Sequence, residues 1–240
     1  MSRKSRAKPP SPFRRFNSSP AVIRLVVMMY VRFPLSLRNV EDLLFERGID
    51  ICHETVRFWW NRFGPLFAAD IKRQRINRMR GFRHWRWHLD EMFVKINGET
   101  HYLWRAVDHE GEILESYVTK KRDKSAALRF FKKALKHHGS PASIVTDGLR
   151  SYPAAMTDLG IEDRRDMGRW LNNRVENSHL PLRRRERVMQ RFRRMKSLQK
   201  FASVHANVHN HFNSDRHLTD RETYKTNRSV ELAEWQNLMA

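Results

Sequence analysis

Apolar positions at helical spacing open the chain. Ala21 to Val31 is almost wholly apolar and predicts a first helix, interrupted by Pro34. Ser36 is suited to cap a second helix that carries Val40, Leu43 and Leu44 on one face and stops at Gly48. After a short connector from Ile49 to Cys52, a third helix is predicted from about His53 to Phe63. Its Val56, Trp59, Trp60 and Phe63 recur as a buried stripe does. Gly64 and Pro65 are expected to stop it. Residues 66–84 are rich in Arg and read as a basic helical link.

The period then changes. His88 to Ile96 alternates as a strand, Asn97-Gly98 signals a tight hairpin, and His101 to Val107 returns as the second strand. Asp108 to Gly111 turns the chain into a third strand, Glu112 to Val118. Lys124 to His138 is a helix with Ala127, Phe130, Phe131 and Leu135 on one side. Ser143 to Thr146 is a short strand of buried type that ends at Asp147. Three meandering strands, a helix and a fourth strand resemble the first half of a ribonuclease-H-like α/β layer. From Asn172 to His211 the pattern is mostly helical and heavily basic.

Composition changes the picture in one respect. Lys and Arg number 47 against 26 Asp and Glu, a net charge of +21 over 240 residues. A compact fold with that excess repels itself unless a polyanion is its partner, and nucleic acid gains from releasing condensed counterions. An anionic membrane surface would need a basic amphipathic anchor or a spanning segment, and the pattern shows neither. The helical region, read with this charge, is a helix-turn-helix whose outer face offers His53, Glu54, Arg57 and Asn61 to a DNA groove. An ordinary three-helix bundle is the alternative. Residues 1–19 hold basic residues and no acid, and read as a disordered arm. The single cysteine, Cys52, permits no internal disulfide and no cysteine zinc site, which fits a reducing cytoplasm.

Two carboxylates stand out by position. Asp90 lies inside the first strand, where a charge is disfavoured, and the adjacent Glu91 must point to the opposite face. Asp147 ends the fourth strand. Where those strands are neighbours, the two acids meet at one edge, and such a pair holds a proton or a cation between them. Mg²⁺ (or Mn²⁺) suits carboxylate oxygens and keeps waters for phosphate, and Glu176 on a helix would complete a two-metal site. The plain structural alternative makes Asp90 a satisfied strand residue and Asp147 a helix cap.

The run His88-Leu89-Asp90-Glu91-Met92-Phe93-Val94-Lys95-Ile96-Asn97-Gly98 resembles the first catalytic strand of DDE transposases of insertion sequence family 6. Tyr102 to Asp108, Lys124 to Ala127, Thr146-Asp147-Gly148 and Asn172 to His179 continue the resemblance, which covers roughly residues 20–212. It implies a metal-dependent transposase with Asp90, Asp147 and Glu176 as catalytic and metal-binding triad. Such enzymes often carry Lys seven residues beyond the glutamate, where this chain has Arg183. Pro181 between them is expected to kink the helix. The organisation implied is a basic arm (1–19), a helix-turn-helix domain (20–65), a basic linker (66–84), a catalytic domain (85–212) and a C-terminal tail (213–240).

The expected function is binding of terminal inverted repeats in double-stranded DNA, then cleavage and strand transfer by a homodimer or larger assembly. A cytoplasmic, nucleoid-associated bacterial protein fits. The alternatives are a helix-turn-helix regulator without catalytic activity and a nuclease or resolvase of the same fold. Arg183, Arg184 and Arg187, with Arg185, Arg191, Arg193 and Arg194, are expected to track the DNA backbone. Trp85 and Trp87 read as core or edge packing, and Trp170 as a base-stacking candidate. His205, His209 and His211 include a metal-like spacing but no third ligand, and read as polar surface or DNA contacts.

Overall fold

The first helices form where their caps and stripes place them. The computed structural model describes residues 10–78, 86–166, 173–189, 192–214 and 218–240. In it α1 (Pro20–Arg32) opens on Pro20, with the Ser19 hydroxyl accepting from Val22 N. α2 (Leu37–Phe45) opens on a capping box in which Ser36 accepts from the Asn39 amide and the Asn39 side chain from Ser36 N. Ile23, Val27, Val40, Leu44, Val56 and Phe63 close over one another with no exposed surface.

α3 (His53–Arg78) does not stop at Gly64 and Pro65 but runs through both. Pro65 lacks the N–H that would bond the Asn61 carbonyl. The Lys200 ammonium donates to that carbonyl instead, at 2.8 Å, so the helix loses a bond without leaving an orphan. The link expected from residue 66 is, as far as Arg78, a helix whose Phe67, Ala68 and Ile71 enter the core.

β1 (Arg86–Ile96), β2 (Glu99–Asp108) and β3 (Ile113–Thr119) form the antiparallel meander. Asn97 and Gly98 turn it at φ of 51° and 85°, the left-handed pair that a two-residue hairpin requires. α4 (Lys124–His138) then returns the chain so that β4 (Ser143–Thr146) lies parallel to β1, and β5 (Arg165–Asp166) lies parallel to β4. The order β3-β2-β1-β4-β5 is the ribonuclease-H-like mixed sheet, preceded by an all-α region as expected.

The two faces of the sheet are covered differently. Trp87, Leu89, Trp104 and Ala106 pack on α4 and α5 (Ser151–Leu159). Met92, Val94, Ile96, Leu103 and Val118 join the helical core with α6 (Asn173–Val188) and α7 (Met195–His211). The edge strand β3 is sealed by amide side chains of α7. Gln199 accepts from Val118 N and donates to Ser116 O, and Asn210 exchanges two hydrogen bonds of 2.9 and 2.8 Å with Ile113. An edge so capped offers no ladder to a second chain.

Several expectations differ from the structure. The arm was expected to lack structure, yet Phe13 stacks on Phe63 at 5.1 Å and Phe16 meets the same ring at 5.0 Å. The segment read as a tail carries α8 (Arg221–Gln236), whose end seals the N-terminal core. Trp235 Nε1 donates to Arg24 O at 3.0 Å, and Arg24 Nε donates to Leu238 O at 2.8 Å. α6 runs on through Pro181. His205 is not surface but buried beside Phe201, because it lies on the inward stripe of its helix with Leu198, Phe201 and Val208. Residues 1–9, 79–85 and 167–172, which include Trp85, Trp170 and Asn172, lie outside the described residues, as does Arg191.

Gly64 sits where a Cβ would come 2.8 Å from the Trp60 ring, itself held against Tyr30 and Phe201. Helix propensity favours alanine there by about 1 kcal/mol, but crowding in a packed core costs about 1–3 kcal/mol. Gly64→Ala is therefore expected to destabilise the protein, and equilibrium urea unfolding would show a lower midpoint.

Candidate active site

The parallel pairing of β1 with β4 runs up to Leu89 opposite Thr146. One residue further along each strand stand Asp90 and Asp147, so the sheet register itself brings the two acids to one end. The two strands are neighbours, the condition under which the acids were expected to meet. Asp90 leaves β1 on the face covered by α6, and Glu91 leaves it on the face of α4 and α5, as strand alternation demands.

Yet Glu91 belongs to the same cluster. Asp90, Glu91 and Asp147 each contribute an oxygen to a group lying within 4.8 Å of one another. Glu91 is held there by two partners. Tyr152, fully buried, donates its hydroxyl at 2.9 Å, and Arg122 bonds the other carboxylate oxygen. The same Arg122 guanidinium lies 3.7 Å from Asp147 and over the Phe93 ring. The other Asp147 oxygen accepts from Leu149 N at 3.1 Å.

Glu176 occupies the first turn of α6 and is exposed. It is not among the oxygens gathered within 4.8 Å, but its charge acts on Asp90. α6 is fixed to the sheet by Arg105, the cross-strand neighbour of Asp90, whose buried guanidinium donates to the Ser178 carbonyl. One turn beyond Glu176, His179 places Nδ1 3.7 Å from Asp90 Oδ2.

The electrostatics follow from this crowding. Burial, then the charge of Glu91, pushes the Asp90 carboxyl up to about 7, with Asp147 and Glu176 adding to it. Burial raises Glu91 as well, against the pull of Tyr152 and Arg122. Burial and the charges of Arg105 and Arg183 hold His179 down at about 3, so its imidazole is neutral. Asp90 and Glu91, which resist ionisation until a positive charge arrives, and Asp147 beside them offer hard oxygen donors that suit a divalent cation.

Comparison with known proteins settles the lineage. Residues 84–215 match a family described as a DDE domain, of the IS240 transposase type. A transposase of the insertion sequence-like element IS431mec from Staphylococcus aureus is 31% identical over 172 residues, covering 70% of this chain and 74% of that protein. The chain belongs to the DDE transposases of insertion sequence family 6. The transposase of IS257 in transposon Tn4003, also from Staphylococcus aureus, matches at the same identity and coverage. An uncharacterised protein of Methanocaldococcus jannaschii is 30% identical over 80% of this chain and 84% of its own length. Among solved structures, the Mos1 transposase catalytic domain aligns at 13% identity and a TM-score of 0.35, over 74% of this chain and 94% of that one. The fold assignment rests on the strand order above.

As a DDE transposase the chain is a metal-dependent enzyme of DNA cleavage and transfer. Of the residues expected as a triad, Asp90 and Asp147 share the end of the paired strands, and Glu176 lies on α6 outside the group gathered within 4.8 Å. Of the residues predicted to face DNA, His53 and Arg57 line a cavity of about 550 Å³ with Arg38 and Arg193. His53 bonds Glu41 at 2.9 Å, and Glu54 pairs with Arg57 at 2.7 Å. Asn61 is exposed but committed, donating to Arg57 O and accepting from Lys200 at 3.0 Å. Arg184 and Arg187 are exposed on α6, and Arg183 pairs with Glu186. Arg185, expected in the same basic track, is instead buried, donating to Leu35 O and lying over Tyr30. Sequence reasoning missed Glu91, Arg122, Tyr152 and Arg105 as parts of the site. Only the Glu91 next to Asp90 carried a signal, and alternation pointed it away.

The folded state binds a proton at Asp90 more readily than the unfolded chain does. Stability without metal therefore falls as pH rises from about 4 towards about 7, and Asp90→Asn removes that penalty. At pH 8 in EDTA the variant is expected to melt several degrees higher than wild type, at roughly 2–4 °C per kcal/mol recovered. Adding Mn²⁺ should raise the melting temperature of wild type but not of the variant. A lower melting temperature for the variant in EDTA would contradict this account.

Proposed function

We propose that this transposase recognises the terminal inverted repeats of its element through the helix-turn-helix and cuts and joins DNA at Asp90, Asp147 and Glu176 with Mg²⁺. The observation that carries the reading is the meeting of Asp90 and Asp147 at the end of paired β1 and β4, beside Glu176 on α6. A divalent cation there would activate an attacking hydroxyl and neutralise charge at the phosphodiester.

The chain's own groups supply the rest. β1 and β4 fix the spacing of the two aspartates, since neither strand can slide without breaking the sheet register. Arg105 docks α6 and with it Glu176. Arg184 and Arg187 on the same helix lie open for phosphates, and His53 and Arg57 border a basic cleft for the duplex backbone. Catalysis would come from positioning and charge neutralisation, without a covalent protein intermediate. Joining two element ends favours a homodimer or larger assembly on DNA. Among the described residues no helix is long and apolar enough to cross a membrane, and a cytoplasmic, nucleoid-associated enzyme fits that finding.

The test is incubation of the full chain with Mg²⁺ and a labelled duplex carrying the inverted repeat. Nicking and strand joining are expected, abolished by EDTA and reduced at least about 100-fold in Asp90→Asn and Glu176→Gln. Repeat binding should persist in both variants. Binding with no cleavage in wild type would leave a DNA-binding regulator instead. Hydrolysis without joining would leave a nuclease.

A further inference from the structure

His179 is the side chain at the site that the reading above leaves without a task. It lies on α6 one turn after Glu176, so both point from the same helical face. Only 9% of its surface is exposed, and its Nε2 is buried with no hydrogen-bond partner among the described residues. Its Nδ1 faces Asp90 Oδ2 at 3.7 Å.

That distance is informative. It is too long for a hydrogen bond. Two ligands of one cation, each about 2.1 Å from it, stand no more than about 4.2 Å apart. The Asp90–His179 pair fits that span.

We propose that His179 is a ligand of the cation bound at Asp90, so that the centre combines carboxylate oxygens with one imidazole nitrogen. The inference rests on the reading of Asp90 and Asp147 as a metal centre. An imidazole ligand favours transition metals over Mg²⁺, so the site binds Mn²⁺ with an advantage that an all-carboxylate site lacks.

Pulsed electron paramagnetic resonance of Mn²⁺ bound to the full wild-type chain tests this directly. A nitrogen coupling from a directly bound imidazole is expected, and it should vanish in His179→Gln while Mn²⁺ still binds. The same variant should weaken Mn²⁺ at least about tenfold and Mg²⁺ less than about threefold, by titration of the melting temperature. Mn²⁺ bound in an Asp90-dependent manner without nitrogen coupling would overturn the role of His179 and leave the metal centre intact. Coupling that survives His179→Gln would overturn it too. Wild type and Asp90→Asn both failing to bind Mn²⁺ would overturn the metal centre and the histidine together. The wild-type spectrum needs no variant to fold.

Discussion

Carboxylates crowded at the end of a sheet repel one another, and much of the surrounding structure answers that constraint. Asp90, Glu91 and Asp147 stand within 4.8 Å of one another, and burial disfavours the ionised forms of Asp90 and Glu91. Arg122 lies between Glu91 and Asp147, and Tyr152 donates to Glu91 from the α5 side. These contacts keep the acids aimed at one point rather than splayed into solvent. Repulsion among such acids is relieved by a cation, the general reason that clustered carboxylates suit a divalent metal.

Glu176 comes from a different layer, and one buried guanidinium couples that layer to the sheet. Arg105 is opposite Asp90 on β2 and holds the carbonyl of Ser178 on α6. A buried guanidinium retains its charge at physiological pH even with its affinity for the proton lowered to about 10. It therefore acts as a fixed post for the helix that brings Glu176 and His179. The helical region is joined to the same scaffold, because Lys200 of α7 reaches the Asn61 carbonyl of α3 and Arg185 of α6 reaches Leu35. The N-terminal helices and one face of the sheet consequently share one apolar core.

Much of this was legible in the linear sequence. The first two helices, the hairpin at Asn97-Gly98, the meander, α4 and the strand ending at Asp147 follow from local periodicity and turn chemistry, which act over a few residues. The placement of Asp90 inside a strand was legible for the same reason, since alternation shows which positions a charge should avoid. Gly64 and Pro65 misled because their usual meaning is local, while the Lys200 side chain that replaces the lost hydrogen bond comes from far along the chain.

What the sequence determined by itself was the family and the elements from the first helices through the strand that ends at Asp147, because motifs and periods are properties of neighbouring residues. Only the tertiary structure decided that Glu91 joins the carboxylate cluster and that Arg185 is core rather than DNA track. It alone showed the supposed tail closing over Arg24 and His179 facing Asp90. Each of those depends on which surfaces long-range packing brings together. Burial, charge pairing and the reach of a side chain across a core are set by that packing, and no spacing along the chain encodes them directly.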